Sequence, residues 1–190
     1  MFTSIFLTFM LLMAVQRIRE TFFKKGKENG MIVNKWTLPA LSTVHFIVGI
    51  GAIVEYFLVQ REVNFIISGL GFSMYFFAFV LRSWAITTLG RYHSVHIEIK
   101  KDHMLIRRGP YKYMRHPYYL SVIFELLGVP LIPNSYYSFC VSLAVYIPLL
   151  LTRLNLEEKA MTDKLGREYL LYKREVWGLF PIKRVEGKRL

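Results

Sequence analysis

The sequence predicts an all-α integral membrane protein with about five transmembrane helices, two of them short and joined as a helical hairpin. Hydrophobic residues make up 54% of the 190 residues, more than the ~45–50% of an average soluble domain. They are gathered into blocks whose lengths suit a bilayer. The basic residues, 25 Lys and Arg against 13 Asp and Glu, lie between alternate blocks. A chain of this length is expected to form one domain.

The spans are predicted from hydropathy and from the polar turns between the blocks. A polar turn at 60–64 separates the second and third blocks, and a Pro-Asn-Ser turn at 133–135 separates the fourth and fifth. The first block lacks the charged start and small-residue cleavage pattern of a signal peptide, which favours an uncleaved anchor. The single domain of 1–190 therefore has predicted spans at about 2–16, 38–59, 65–86, 117–132 and 136–152.

The loop charges predict the orientation. Segments 17–35, 87–116 and 153–190 hold six, seven and ten Lys or Arg, whereas the turns at 60–64 and 133–135 hold one and none. Basic loops stay on the cytoplasmic side, so the N-terminus is predicted outside and the 87–116 loop and C-terminus cytoplasmic. The same distribution favours the lipid bilayer, and no nucleic acid, as the partner of a net charge of +12.

Four side chains inside the predicted spans need a structural explanation. Cys140 is the one cysteine; it is predicted to be a small buried hydrophobe, and no disulfide or thiolate metal site is expected. His45, Glu55 and Glu125 are costly in hydrocarbon unless they are paired or face a cavity. Nothing in the sequence identifies a transported ion.

The basic loop before the fourth span contains the first candidate site. Pro117 suits the first turn of a helix, which places His116 at the helix N-terminus, where free N–H groups and the dipole favour an anion. A lipid-binding interfacial loop is the alternative, and it is the stronger interpretation for Lys112 or Tyr118 taken alone. Three loop histidines lack acidic or thiol companions, so no metal site is predicted: His93, His96 and His103.

A second candidate lies just after the fifth span. Arg153 and Glu157 are four residues apart and share a helix face. They form either an ordinary surface ion pair, which the spacing alone favours, or an anion-binding arginine beside a carboxylate for a ligand ammonium. Tyr169 and Tyr172 also share a face, and they either pack over a pocket or seal the membrane interface.

Taken together, these motifs resemble the isoprenylcysteine carboxyl methyltransferase family, within a superfamily that also includes phospholipid N-methyltransferases. The matching stretches are the run from Gly109 to Tyr119, Arg153 with the glutamates at 157 and 158, and the run from Gly166 to Tyr172. The resemblance covers about residues 90–181. It implies a cytosolic cofactor pocket built from the 87–116 loop and the C-terminal helix, within a catalytic half at 87–182.

The resemblance also implies an activity and the residues that carry it out. The activity is S-adenosylmethionine-dependent carboxyl methylation, with S-adenosylhomocysteine as product and the α-carboxylate of an isoprenylated cysteine, or a similar lipidic acceptor entering from the membrane, as substrate. Arg153 matches the arginine that faces the acceptor. The positions that match the family's cofactor contacts are His96, His103, Met104, Leu105, Ile106, Tyr111, His116, Pro117, Tyr118, Tyr119 and Glu157.

The residues themselves are compatible with this chemistry. A carboxylate with a pKa near ~4 is already ionised at neutral pH, so its methylation needs no general base. Other functions remain open at this point. Membrane sterol reductases that use NADPH look similar across the C-terminal half, phospholipid N-methyltransferases share the superfamily, and a non-catalytic scaffold could use the basic loops to hold anionic lipid.

Overall fold

In the computed structural model, residues 1–20, 30–99 and 104–180 are described. The protein is mostly helical, with short 3₁₀ turns at Gly90–Tyr92 and Gly109–Lys112. The last long helix runs from Tyr136 to Leu165 and passes through a π-helical turn at Ser142–Tyr146 without a break. The helices are α1 (Phe2–Ile18), α2 (Thr37–Val59), α3 (Phe65–Leu89), α4 (Pro117–Leu131), α5 (Tyr136–Val141), α6 (Ile147–Leu165) and α7 (Arg167–Glu175).

Several helices are long and apolar enough to cross a membrane. Among the described residues, three helices meet this criterion, at Thr37–Val59, Phe65–Tyr92 and Tyr136–Leu165, whereas α1 and α4 are apolar but shorter. Large apolar side chains cover their outer faces; Leu58 is 77% exposed and Ile66 is 85% exposed. Apolar surface this extensive needs lipid rather than water around it, so this is an integral membrane protein.

The fold differs from the sequence prediction in two respects. Of the two spans predicted to form a short hairpin, only α4 is short, because the helix that begins at Tyr136 continues to Leu165 instead of ending near 152. The drop in hydropathy at 152 marks where polar residues begin, but it does not stop the helix. The all-α prediction also omitted a two-stranded antiparallel sheet, β1 (Met31–Val33) with β2 (Ile97–Ile99). Strands of three residues, far apart in sequence, carry too little periodicity to be recognised.

Close packing between α3 and α4 forms the centre of the bundle. A Cβ added to Gly71 would lie 2.7 Å from the backbone oxygen of Gly128, and one added to Gly128 would lie 2.9 Å from that of Gly71. Two helix backbones can approach this closely only where both residues lack a side chain. The contact places the N-terminus of α4 beside the C-terminus of α3. This end of the bundle, which carries the segment between Leu89 and Pro117, is the loop end.

The opposite end of the bundle, which carries the turns at 60–64 and 133–135, is the turn end. There, Glu55 binds the first residues of α5. Its carboxylate accepts the backbone N–H groups of Tyr137 and Ser138 at 3.1 and 2.9 Å and pairs with Arg61 at 2.6 Å. The guanidinium of Arg61 lies about 5 Å from the rings of Tyr136 and Tyr137. Glu55 therefore caps a helix start, which explains a charge that the sequence left unassigned.

Glu125 is the centre of a buried charge cluster nearer the loop end. Its carboxylate pairs with Arg17 of α1 and Arg82 of α3, and the ring of His45 lies 4.0 Å away. Arg82 Nε also lies 3.2 Å from Glu20 Oε2. These pairs join three helices and offset the cost of burying charge.

The prediction that Cys140 is buried is wrong. Its side chain is exposed on the outer face of α5. An apolar run in a membrane helix faces lipid as readily as protein, so hydropathy alone does not distinguish the two faces.

Candidate active site

A polar cavity lies at the loop end, between the segment after α3, the start of α4, α6 and α7. Most of the residues predicted for the site line it: His96, Met104, Leu105, Ile106, Tyr111, His116, Tyr118, Tyr119, Arg153 and Glu157. Pro117 instead lies behind the wall, fully buried in the first turn of α4. His103 lies outside the described residues. The structure thus brings together side chains from four separate segments, while their roles stay predictions.

Arg153 lies deep in the wall of this cavity and has only neutral partners. Its three nitrogens donate to the Tyr119 hydroxyl at 3.0 Å, the Thr37 hydroxyl at 3.1 Å and the Val95 carbonyl at 2.6 Å. The residue is 5% exposed. Within the described part of the chain, no carboxylate lies within ion-pair distance of it. A buried guanidinium without a directly paired carboxylate is costly, and here it leaves a positive charge in the wall of the cavity.

Tyr119 connects this arginine to Glu157. The tyrosine hydroxyl accepts from Arg153 and donates to a carboxylate oxygen of Glu157. The i,i+4 surface ion pair that the spacing favoured is therefore not the observed arrangement; a buried tyrosine from α4 lies between the two charges. This leaves one Glu157 oxygen without a hydrogen bond among the described residues.

Glu158 is a residue whose importance the sequence did not reveal. Its carboxylate binds Arg115 at 2.6 Å, His116 at 3.0 Å and Lys173 at 2.7 Å. Because consecutive helical residues point about 100° apart, Glu157 faces the cavity while its neighbour joins α4, α6 and α7. The doubled glutamate in the sequence was the only available signal.

The C-terminal segment closes one side of the cavity. The backbone N–H groups of Arg115 and His116 donate to the carbonyls of Trp177 and Gly178, both at 2.9 Å. The Tyr172 hydroxyl donates to the Tyr111 carbonyl at 2.5 Å. These bonds fix the chain after α7 against the two residues that precede α4, so their backbone donors are used to hold the segment.

Buried tyrosines form the aromatic wall of the cavity. Tyr169 and Tyr172 are each 3% exposed and line it, which decides in favour of the pocket over the membrane interface. Burial raises the pKa of Tyr172 to about 12 and raises the pKa of Tyr111 and Tyr169 well above the usual tyrosine range. All three stay neutral at physiological pH, and they can stack on a flat ring or donate hydrogen bonds.

A second cavity, of about 610 Å³, forms a groove between α1 and α2. Its walls are mostly apolar, and its lining includes Phe46 and Ile50, which are 69% and 45% exposed on the outer face of α2. The groove is therefore accessible from the bilayer. It shares four lining residues with the polar cavity: Val95, Tyr118, Tyr119 and Arg153.

The fold and these cavities define a class of protein: a helical integral membrane protein in which a polar pocket meets a lipid-accessible groove at a buried arginine. Comparison with known proteins gives the family. The sequence pattern of the isoprenylcysteine carboxyl methyltransferase (ICMT) family matches residues 70–163. This chain belongs to the ICMT family.

Individual relatives agree with this assignment. A Bacillus subtilis protein, YpbQ, described as uncharacterized, is 30% identical over 80% of this chain and 88% of its own length. Protein-S-isoprenylcysteine O-methyltransferase from Saccharomyces cerevisiae is 31% identical over 50% of this chain and 41% of its own length. The B form of that enzyme from Arabidopsis thaliana is 30% identical, with 58% and 57% covered.

A solved structure shares the fold. The eukaryotic intramembrane Ras methyltransferase ICMT matches 81% of this chain with a TM-score of 0.63 at 24% identity. The chain spans only 55% of that protein, and it spans about half the length of the two named methyltransferases.

Proposed function

We propose that this protein transfers a methyl group from S-adenosylmethionine to a carboxylate of a lipidic acceptor, in the first instance the α-carboxylate of an isoprenylated cysteine. One observation carries the proposal: Arg153, a buried cation with only neutral partners, lies where the polar cavity and the lipid-accessible groove meet. The family membership and the named methyltransferase relatives support the reaction type.

The chemistry of the polar cavity suits the methyl donor. Glu157 offers a carboxylate to the donor's ammonium group. The Nε2 atom of His116 is bound to Glu158, so His116 would bind the donor's carboxylate through Nδ1, as an imidazolium. The buried tyrosines, with Leu105 and Met161, provide a surface for the adenine ring. When bound, S-adenosylmethionine supplies an electrophilic methyl group on a positively charged sulfur.

Arg153 would bind and orient the acceptor. Its guanidinium can form charge-assisted bonds with a carboxylate that enters from the groove. That carboxylate is ionised at neutral pH, so no base has to remove a proton. The Tyr119 hydroxyl is hydrogen-bonded to both Arg153 and Glu157 and so fixes the position of one side chain relative to the other. Correct alignment of the two substrates supplies much of the rate of such transfers. A positively charged acceptor site favours a carboxylate over the amine of a phospholipid.

The closed C-terminal segment would exclude water from the reaction. The ion pairs of Glu158 and the backbone bonds to residues 177 and 178 keep this segment against α4. Exclusion of water strengthens the electrostatic contacts of both substrates. The polar donor would enter from the loop end, and the acceptor's apolar chain would enter sideways through the groove.

This proposal includes the membrane arrangement. We propose five spans, with α1 and α4 crossing despite their shorter lengths, the N-terminus outside, and the loop end in the cytoplasm. The basic segments then all lie on one side. Residues 1–190 would act as one domain, with the catalytic half at 87–182 and His103 among its cofactor contacts.

Calorimetric titration of the detergent-purified protein with S-adenosylhomocysteine, and in parallel with NADPH, tests the donor. We expect saturable S-adenosylhomocysteine binding, lost on Glu157→Gln and kept on Asp163→Asn, a matched control because Asp163 is an exposed carboxylate on the same helix. NADPH binding in its place would assign the cavity to a reductase and contradict the proposal.

The second test measures transfer of a labelled methyl group to N-acetyl-S-farnesyl-cysteine. We expect a base-labile methyl ester as the product. The farnesyl-cysteine amide, which has no free carboxylate, is the matched control acceptor and should receive no label. Labelling of the amide to the same extent as the acid would contradict carboxyl methylation.

A further inference from the structure

The groove between α1 and α2 contains a polar position far from Arg153. Arg17 and His45 line it among mostly apolar neighbours, with the hydroxyl of Ser42 one turn earlier on the same helix as His45. Arg153 contacts Thr37 at the start of α2, and His45 follows eight residues later on the same helix. At 1.5 Å per residue, His45 lies about 12 Å along α2 from Thr37, so the polar position lies roughly this far from a carboxylate bound at Arg153.

Both side chains have unused hydrogen-bonding capacity within the described part of the structure. Arg17 directs Nε and Nη2 at Glu125, whereas its Nη1 lies 3.7 Å from the nearest carboxylate oxygen, beyond hydrogen-bond distance. The Nε2 atom of His45 lies 4.0 Å from Glu125 and makes no hydrogen bond there. The two side chains are only 18% and 22% exposed. A pure hydrocarbon chain in the groove would leave these donors unpaired, which is costly.

The charge of the surrounding cluster decides what kind of ligand group fits. Arg17 and Arg82 are balanced by Glu20 and Glu125, so the cluster carries no excess positive charge. A second anion would gain little there and would be repelled by the carboxylates. A neutral oxygen, which accepts a hydrogen bond without bringing charge, is the best complement.

We infer that the groove selects an acceptor whose apolar chain carries a neutral hydrogen-bond-accepting oxygen, a carbonyl or hydroxyl, about 12 Å from the methylated carboxylate. Arg17 and His45 bind this oxygen while Arg153 binds the carboxylate. This inference rests on the proposed function, and it narrows the substrate class from any lipidic carboxylate to an oxygenated one.

Three synthetic acceptors test the inference. All are N-acetyl-S-alkyl-cysteines of equal chain length: one has a plain chain, one has a carbonyl at the depth of His45, and one has a carbonyl at the far chain end. Dissociation constants are measured with the protein saturated with S-adenosylhomocysteine. We expect the mid-chain carbonyl to bind about tenfold more tightly than the other two, the effect of one well-formed hydrogen bond to a charged donor.

Single substitutions in the groove test whether Arg17 and His45 cause the preference for the mid-chain carbonyl. His45→Phe and Arg17→Met should reduce the tenfold preference to nearly onefold, whereas Ser42→Ala, which removes a hydroxyl from the same groove one turn earlier, should retain it. His45→Phe keeps the test valid if Arg17→Met fails to fold, because His45 makes no ion pair closer than 4.0 Å. Equal affinity for all three acceptors, or an unchanged preference in His45→Phe, would overturn the inference.

The two proposals fail in different ways. Methyl transfer to the plain acceptor is measured in the same preparations. If the plain acceptor is methylated and the mid-chain carbonyl gives no preference, only the selectivity of the groove is wrong. If no acceptor is methylated while the tenfold preference and its loss in His45→Phe are observed, the groove is correctly assigned and the proposed reaction is wrong.

Discussion

Arg82 and Arg153 are both almost fully buried, at 1% and 5% exposure, but they are surrounded by different charges. Arg82 lies between two carboxylates, those of Glu125 and Glu20. Arg153 has a tyrosine, a threonine and a backbone carbonyl as partners. The charge of Arg82 is therefore neutralised by carboxylates of the protein, whereas Arg153 has no directly paired carboxylate among the described residues.

We expect the two arginines to have different roles in the same bundle, one in stability and the other in the proposed function. A neutralised buried arginine joins helices, and its loss is a loss of stability. An arginine without a negative partner contributes little net stability, since its desolvation is not repaid; its charge is available to a ligand. The contrast predicts that changes around Glu125 affect unfolding, while changes around Arg153 affect turnover.

The largest effect is expected for Glu125→Ala. Removal of this carboxylate leaves Arg17 and Arg82 without their shared partner in a buried site, which costs about 3–5 kcal/mol of unfolding free energy. Thermal unfolding in detergent measures it, with Glu62→Ala as the control because that carboxylate is exposed. A melting temperature equal to that of Glu62→Ala would show that the cluster around Glu125 does not hold the bundle.

Arg153→Met is expected to have the next largest effect, on activity rather than stability. The rate constant kcat/KM for a carboxylate acceptor should fall about 100-fold, roughly 2.7 kcal/mol, because the acceptor loses its charged partner. The melting temperature should change by only a few degrees. Arg167→Met, at an exposed arginine near the start of α7, is the control. A large drop in melting temperature with normal turnover would reverse the comparison.

Tyr119→Phe should have an intermediate effect, on binding in the proposed donor site. The substitution keeps the ring and removes the hydroxyl that joins Arg153 to Glu157, so we expect roughly tenfold weaker binding of S-adenosylhomocysteine. Calorimetry measures this, with Tyr137→Phe at the turn end as the control. Unchanged affinity would mean that Glu157 is held in place without the tyrosine.

The smallest effect is expected for Thr37→Val. This change removes one of the three neutral partners of Arg153 and preserves the shape of the side chain. The hydroxyl also donates to the Asn34 carbonyl at 3.0 Å. Because Arg153 keeps its two other partners, we expect a net loss of about 1 kcal/mol, so kcat/KM should fall less than about fivefold. The measurement is kcat/KM of Thr37→Val and of Arg153→Met with the same carboxylate acceptor. A loss as large as that of Arg153→Met would assign Thr37 a direct role with the substrate.

Much of the fold followed from the sequence because hydropathy and loop charge act locally. The helices over 38–59 and 65–86 were placed to within a few residues of α2 and α3. The run from Gly109 to Tyr119 and the Arg153–Glu157 spacing also identified residues that line one cavity. A motif that combines a proline-started helix with charged neighbours can be recognised without knowing what packs against it.

Only the tertiary structure decided how these residues are connected. Nothing in the spacing of Arg153 and Glu157 shows that Tyr119, from another helix, lies between them. The role of Glu158, the short sheet and the groove containing Arg17 and His45 likewise depend on contacts between segments far apart in the chain. The sequence by itself determined which segments suit the membrane and which residues are chemically able to act. Packing decided which charges are neutralised and which stay available, because neutralisation depends on distance in space.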